Sequence, residues 1–152
     1  MREPKTDIPG LVLSEGSGGR VAFMPADIDR RYAVEHLPDH ARLIANVVRW
    51  AAGDSIPLDV EGPGLIGCYV YQQPGRIVLH LVNLTSEATW RAPLDEFIRV
   101  GPFKVKVRLP QSIRQPRARL LVSGATRQVS VQGGMAAFTV DSILDHEVVV
   151  IG

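Results

Sequence analysis

Beyond Asp54 the sequence never sustains a helical period. Short apolar runs recur instead between clusters of turn-forming residues until the end of the chain. They fall at residues 65–71, 76–83, 103–109, 117–122, 127–131 with 136–140, and 146–151, which predicts at least six strands. Gln73-Pro74-Gly75, residues 110–116, Ser123-Gly124 and Gln132-Gly133-Gly134 separate them. Each suits a turn, because glycine reaches positive φ without a steric clash and proline presets its own φ. In residues 103–109 the alternation is strict: Phe103, Val105, Val107 and Leu109 fall on one face and Lys104, Lys106 and Arg108 on the other. Two half-apolar sheets satisfy themselves by covering each other, so the expected fold is mostly β, an antiparallel β-sandwich.

The segment before Asp54 reads differently. Residues 11–13 and 20–24 are apolar runs joined by Ser14-Glu15-Gly16-Ser17-Gly18-Gly19, which predicts a β-hairpin closed by Pro25. Residues 26–37 read as a polar connection. From Pro38 the period becomes helical: Leu43, Ile44, Val47, Val48, Trp50 and Ala51 share one side, Asp39, Arg42, Asn46 and Arg49 the other. This predicts one amphipathic α-helix. Pro38 fits its first turn, Asp39 its positive end, and Gly53 the left-handed position after its last turn. The apolar stripe requires a partner surface. A chain of 152 residues holds one well-filled core, or a core plus an appendage. The expected division is residues 1–54 for the hairpin and helix, and 55–152 for the sandwich.

A formal net charge of +1 supplies no field for nucleic acid or an anionic membrane, so neither is an expected partner. No apolar run approaches the roughly 20 residues that cross a bilayer. Residues 1–9 carry Arg2, Glu3, Lys5 and Asp7 where a secretory signal needs an apolar run, so the expected location is cytoplasmic. Cys68, the single cysteine, has no thiol to pair with and reads as a core residue. His36, His40, His80 and His146 lack metal-ligand spacing. The glycine-rich stretches at residues 16–19 and 62–64 lack the Lys-Ser/Thr ending of a phosphate loop. No metal or cofactor is expected.

Candidate chemistry is sparse. Asp27 and Asp29, with Arg30 and Arg31 beside them, are the closest interesting acidic pair; they read first as turn caps paired with arginines. His80 lies inside a strand that is apolar on both faces, which predicts a central, covered strand and a hydrogen-bonded imidazole. Asn83-Leu84-Thr85 matches the N-glycosylation tripeptide, a short pattern with many chance matches. Trp90, with Arg91 next to it, is the aromatic group in the most open segment and the best candidate for stacking on a sugar ring. No serine elbow or Cys–His pair provides a nucleophile.

Two stretches together carry a family resemblance. Gly19-Arg20-Val21-Ala22-Phe23-Met24-Pro25-Ala26-Asp27-Ile28-Asp29-Arg30, then Pro38-Asp39-His40 and Leu43-Ile44-Ala45-Asn46-Val47-Val48-Arg49-Trp50-Ala51, resemble the closing hairpin and last helix of the glutamine-amidotransferase-like domain in β-galactosidase-like glycoside hydrolases. Residues 74–83 are similar to the start of the β domain that ends such chains. The resemblance implies that the catalytic carboxyls belong to a (β/α)₈ barrel of about 250 residues, which this length cannot contain, and that no catalytic residue carries over. It implies a non-catalytic C-terminal accessory module, acting in domain packing or oligomer assembly. Its partner would be a glycoside hydrolase catalytic domain or another copy of the chain. The alternatives are a carbohydrate-binding module using Trp90 and Arg91, and an independent hydrolase using Asp27, Asp29 and His80. Asp27, Asp29, Arg30 and His80 are also the candidates for an interface or polar site.

Overall fold

Strict alternation in one strand, Phe103–Arg108, organises the larger part of the chain. In the computed structural model, which describes residues 6–85 and 96–152, Phe103, Val105 and Val107 are buried while Lys104, Lys106 and Arg108 are exposed. The described residues form strands β1 (Val12–Gly16), β2 (Gly19–Phe23), β3 (Leu58–Glu61), β4 (Ile66–Gln73), β5 (Arg76–Asn83), β6 (Phe103–Arg108), β7 (Arg117–Leu120), β8 (Thr126–Gln128), β9 (Ser130–Gln132), β10 (Met135–Val140) and β11 (His146–Ile151). Helices are α1 (Ile28–Glu35) and α2 (Pro38–Ala51). The chain divides into two compact units, Met1–Ile56 and Pro57–Gly152.

The second unit is the antiparallel β-sandwich expected from the sequence. One sheet has the order β3-β6-β10-β9 and the other β4-β5-β11-β7-β8. Register stacks the core in rows. Leu79 faces Val149, which faces Leu120; Ile77 faces Ile151, which faces Ala118. On the opposing sheet Val105 pairs with Phe138, and Val107 with Ala136. All ten of these side chains are buried, and each large one contributes on the order of 1.5–3 kcal/mol through apolar area removed from water.

Two strand expectations need correction. β3 was not foreseen, because Leu58 and Val60 give only two apolar alternations; pairing with Val107 and Val105 of β6 completes it. The run at 127–131 is not one strand but two. β8 pairs with β7 and β9 with β10, so the chain changes sheets at Val129. A strand that switches sheets turns a corner of the sandwich, and a single run of alternation cannot reveal that.

The third row of the core ends on a carboxylate. Glu147 lies opposite Leu81 and is 2% exposed. Where β7 has ended and its chain turns, Val122 N–H donates to Glu147 Oε1 (2.8 Å) and Ser123 N–H to Oε2 (3.0 Å); Val148 N–H donates to Oε1 as well (2.9 Å). Burial pushes this carboxyl upward, but the hydrogen bonds together outweigh it and hold the group below its ordinary value of 4.5. Gly101 is a second fixed point. Its φ of +146° is closed to ordinary side chains, and an added Cβ would overlap the Asp141 carbonyl oxygen and come within 2.7 Å of Ser142 Cα.

The first unit contains the expected hairpin, with Glu15 opposite Arg20 and a two-residue turn at Ser17-Gly18. The polar connection expected at residues 26–37 is instead largely helical. Asp29 in the first turn of α1 and the Arg31–Glu35 pair four residues apart support that helix, and His36 ends it in the left-handed region at φ 52°. Polar composition hid it, since α1 has no apolar stripe to announce a period. Helix α2 matches its prediction, with Pro38 at its start and Gly53 at φ +59° after its end. Arg20 ties hairpin to helix: its guanidinium donates to the Trp50 carbonyl (3.1 Å) and lies 5.6 Å from the centre of the Trp50 ring. Among the described residues of this unit, none is buried.

Glu147→Gln is expected to lower unfolding stability by about 1–3 kcal/mol, the range for weakening hydrogen bonds made to a charged group. Because the folded carboxyl lies below its unfolded value, its contribution is complete above pH 4.5 and is lost as pH falls through the folded value. Urea titrations at several pH values should show that acid-side loss in the parent chain and less of it in Glu147→Gln. Gly101→Ala is expected to cost roughly 2 kcal/mol or more from strain and backbone overlap, read as a lowered midpoint in thermal unfolding.

Candidate functional site

Each unit presents a concave surface among its described residues, and the residues that form it limit its chemistry. In the first unit, Asp27, Arg31, Glu35 and His40 line a depression of about 440 Å³ where α1 meets the start of α2. Its charges neutralise one another. Asp27 pairs with Arg30 at 3.2 Å and Arg31 with Glu35; Asp29 lies in the first turn of α1. His40 has its Nδ1 buried without a hydrogen-bond partner among the described residues. A general acid and base need unlike environments that hold one carboxyl protonated beside an ionised one. Two carboxylates each held by an arginine do not provide that.

In the second unit, the outward face of the five-stranded sheet carries Tyr69, Tyr71, His80 and Val82 around a shallow depression of about 240 Å³. Strand pleat explains the grouping: Tyr69 and Tyr71 alternate with core-directed residues along β4, and register sets Tyr69 opposite His80. Tyr71 meets the His80 ring edge-on, with centroids 5.7 Å apart and planes at 88°. Gly67 has no side chain, and the Tyr69 ring occupies that space, 3.3 Å from where a Cβ would stand. Both tyrosines remain more than half exposed. The surface offers ring faces, two phenols and an imidazole, so it can pack and hydrogen-bond.

The sequence candidates are distributed as follows. Asp27, Asp29 and Arg30 belong to the first unit and His80 to the second. Of these four, the fold brings together Asp27 and Arg30 as an ion pair. Strand β5 is central, flanked by β4 and β11, as its two apolar faces imply. Its inner face is buried, but Val78, His80 and Val82 on the outer face are half-buried, which corrects the expectation of cover on both sides. Trp90 and Arg91 lie outside the described residues. Cys68 is half-buried against the core, and burial pushes its thiol up. The tripeptide at Asn83 has a structural explanation. Asn83 is 2% exposed and its Nδ2 donates to the carbonyls of Ile98 (2.7 Å) and Leu144 (2.6 Å), while Thr85 N–H donates to its Oδ1 (3.0 Å). The amide is committed to joining the loops around it.

From sequence Tyr69 and Tyr71 are sugar-stacking candidates set aside for lying in a predicted strand, and Glu147 carries no reading. The tyrosines' spacing of two, on the opposite parity from Cys68 and Ile66, marks an outward aromatic pair. A lone acid before the apolar run Val148-Val149-Val150-Ile151, on the inward parity, marks Glu147. No helix among the described residues is long and apolar enough to cross a membrane, and no group of three or more His, Cys, Asp or Glu among them could hold a metal ion.

These features define an antiparallel β-sandwich unit together with a coreless hairpin-and-helix unit. No family model matches the chain, and no curated protein matches it. Among solved structures, it is similar to α-L-fucosidase isoenzyme 2 from Paenibacillus thiaminolyticus, with 21% identity, a TM-score of 0.71 and 94% of this chain covered. The match spans 22% of the fucosidase chain. At that identity the likeness establishes the fold, which is one found in part of a glycoside hydrolase chain.

Replacing Asn83 by Leu is expected to destabilise the chain by about 2–4 kcal/mol, because two loop carbonyls and the Thr85 N–H lose their partner together. Chemical denaturation of the purified variant measures this; a change below about 0.5 kcal/mol, the size of an ordinary surface substitution, would contradict the bridging role.

Proposed function

We propose that the chain is a non-catalytic accessory module of a glycoside hydrolase, of the C-terminal kind found in β-galactosidase-like enzymes, acting in domain packing or oligomer assembly. The observation that carries this reading is the first unit's lack of a core. None of its described residues is buried, yet Val21, Phe23, Val34 and Val48 are each more than half exposed. A segment of this size that buries no side chain does not hold itself folded by apolar area alone, and apolar surface of this extent marks an interaction face. In this reading the hairpin and α2 are the remnant of an amidotransferase-like α/β domain whose missing sheet is replaced by a neighbouring domain or another copy. The fold likeness to one fifth of a hydrolase chain supports an accessory part, and the ion-paired carboxylates of the first unit support the absence of turnover.

Sedimentation velocity over a concentration series should show association, and a chain with both Val21→Asp and Val48→Asp should associate about tenfold more weakly, equivalent to 1.4 kcal/mol. Aryl galactosides and aryl fucosides should remain uncleaved. A chain that stays monomeric at millimolar concentration, or turnover abolished by Asp29→Asn, would overturn the reading.

A further inference from the structure

Sheet edges expose rows of unpaired N–H and C=O groups, and folded proteins keep such edges short, charged or kinked. Three edges of this sandwich obey that rule. β3 has four residues and carries Asp59 and Glu61; β8 and β9 have three residues each. β4 does not. It runs eight residues, Ile-Gly-Cys-Tyr-Val-Tyr-Gln-Gln, with no charge and no proline. Among the described residues it pairs with β5 alone, at the end of its sheet. Tyr69, Val70 and Tyr71 at its centre are 53%, 38% and 56% exposed. Covering Gly67 explains the placement of Tyr69, but it does not explain Tyr71 or the uncharged edge.

The hydrogen-bond parity of β4 says which groups are free. Leu84 N–H donates to the Leu65 carbonyl (2.8 Å), which makes Leu65 and Leu84 a bonded pair in the β4–β5 register. Bonded pairs alternate in an antiparallel ladder, so Gly67, Tyr69, Tyr71 and Gln73 bond to β5, while Ile66, Cys68, Val70 and Gln72 direct their N–H and C=O to the open edge.

We propose that the open edge of β4 is the interface for a second copy of this chain, paired antiparallel across a two-fold axis at Val70. The strand is complementary to itself in that register. Val70 faces Val70 of the second copy and Cys68 faces Gln72, so these three edge-directed residues form bonded pairs, while Ile66, the fourth, falls opposite Pro74 beyond the strand. Tyr69 then faces Tyr71 at the closer, non-bonded positions, where aromatic side chains pack best. No like charges meet, because β4 has none. The contact is isologous, so it closes at two copies and does not propagate into a fibre. The inference deepens the assembly role proposed above by naming a surface separate from the apolar positions of the first unit.

The full-length chain tests it. Sedimentation velocity should show a dimer, and Val70→Pro should raise its Kd at least about tenfold. That proline removes an N–H that makes no bond among the described residues, so circular dichroism and the urea midpoint should change little. Val70→Lys, which opposes two ammonium groups, should weaken the dimer similarly, whereas Val70→Thr should retain it. In a Cys68→Ser background, Val70→Cys should oxidise to a cross-linked dimer, since bonded antiparallel pairs place Cα atoms within disulfide range. Amide exchange at Cys68, Val70 and Gln72 should slow as concentration rises, while that of Tyr69 and Tyr71 stays constant. A monomer at millimolar concentration, a dimer indifferent to both Val70→Pro and Val70→Lys, or no cross-link would overturn the proposal. The chain with Val21→Asp and Val48→Asp separates the two readings. Association lost there but kept in Val70→Pro removes the β4 interface and leaves the accessory role standing. Dimers kept there but lost in Val70→Pro support the β4 interface and remove the first unit's surface as the site of self-association.

Discussion

A β-sheet must dispose of two faces and two edges, and the second unit's structure follows from how it meets that requirement. The inner faces are resolved by each other: the rows Leu79–Val149–Leu120 and Ile77–Ile151–Ala118 lie against Val105, Val107 and Phe138 from the opposing sheet. Face-to-face burial of this kind is the dominant favourable term and is not directional. Direction comes from polar groups that must be satisfied once the sheets close, and in this unit two buried side chains supply it. Glu147 collects the N–H groups of the turn after β7, and Asn83 binds carbonyls from the two loops near the end of β5. These hydrogen bonds tie the turn and the loops to the edge of the core.

What remains unresolved by the sandwich is concentrated on one side. The outer face of the five-stranded sheet keeps Val78, His80 and Val82 half-buried, and the edge strand beside it presents two exposed tyrosines. The first unit also leaves apolar surface uncovered, since none of the described residues of its hairpin and helices is buried. Both features have the same physical meaning: surfaces whose cover is not supplied by the described residues of their own unit. Such surfaces are open to packing or assembly, the role proposed above. In the first unit Glu15, Asp27, Glu35 and Asp39 each pair with an arginine at the surface, and Glu147, the buried carboxylate among the second unit's described residues, accepts three backbone N–H groups.

The likeness to part of an α-L-fucosidase is a likeness of fold. The sequence resemblance was to β-galactosidase-like hydrolases. What the two share is a β-sandwich unit within a glycoside hydrolase chain, and that architecture can be retained while the catalytic body changes, because fold and site chemistry are separable.

Much of the fold was determined by local sequence. Period-two runs such as residues 103–109 fix which side chains enter the core, and the helical period from Pro38 fixes α2, because side-chain direction follows directly from backbone repeat. Where the local signal was weak, tertiary structure decided. α1 has no apolar stripe, β3 has only two apolar positions, and the corner at Val129 needs two sheets before it exists. The pairing of Tyr71 with His80, the burial of Glu147 and the open edge of β4 are likewise products of strand order, which joins residues far apart in the chain. Sequence periodicity states which way a residue points; only the assembled sheets establish what it meets there, or that it meets nothing.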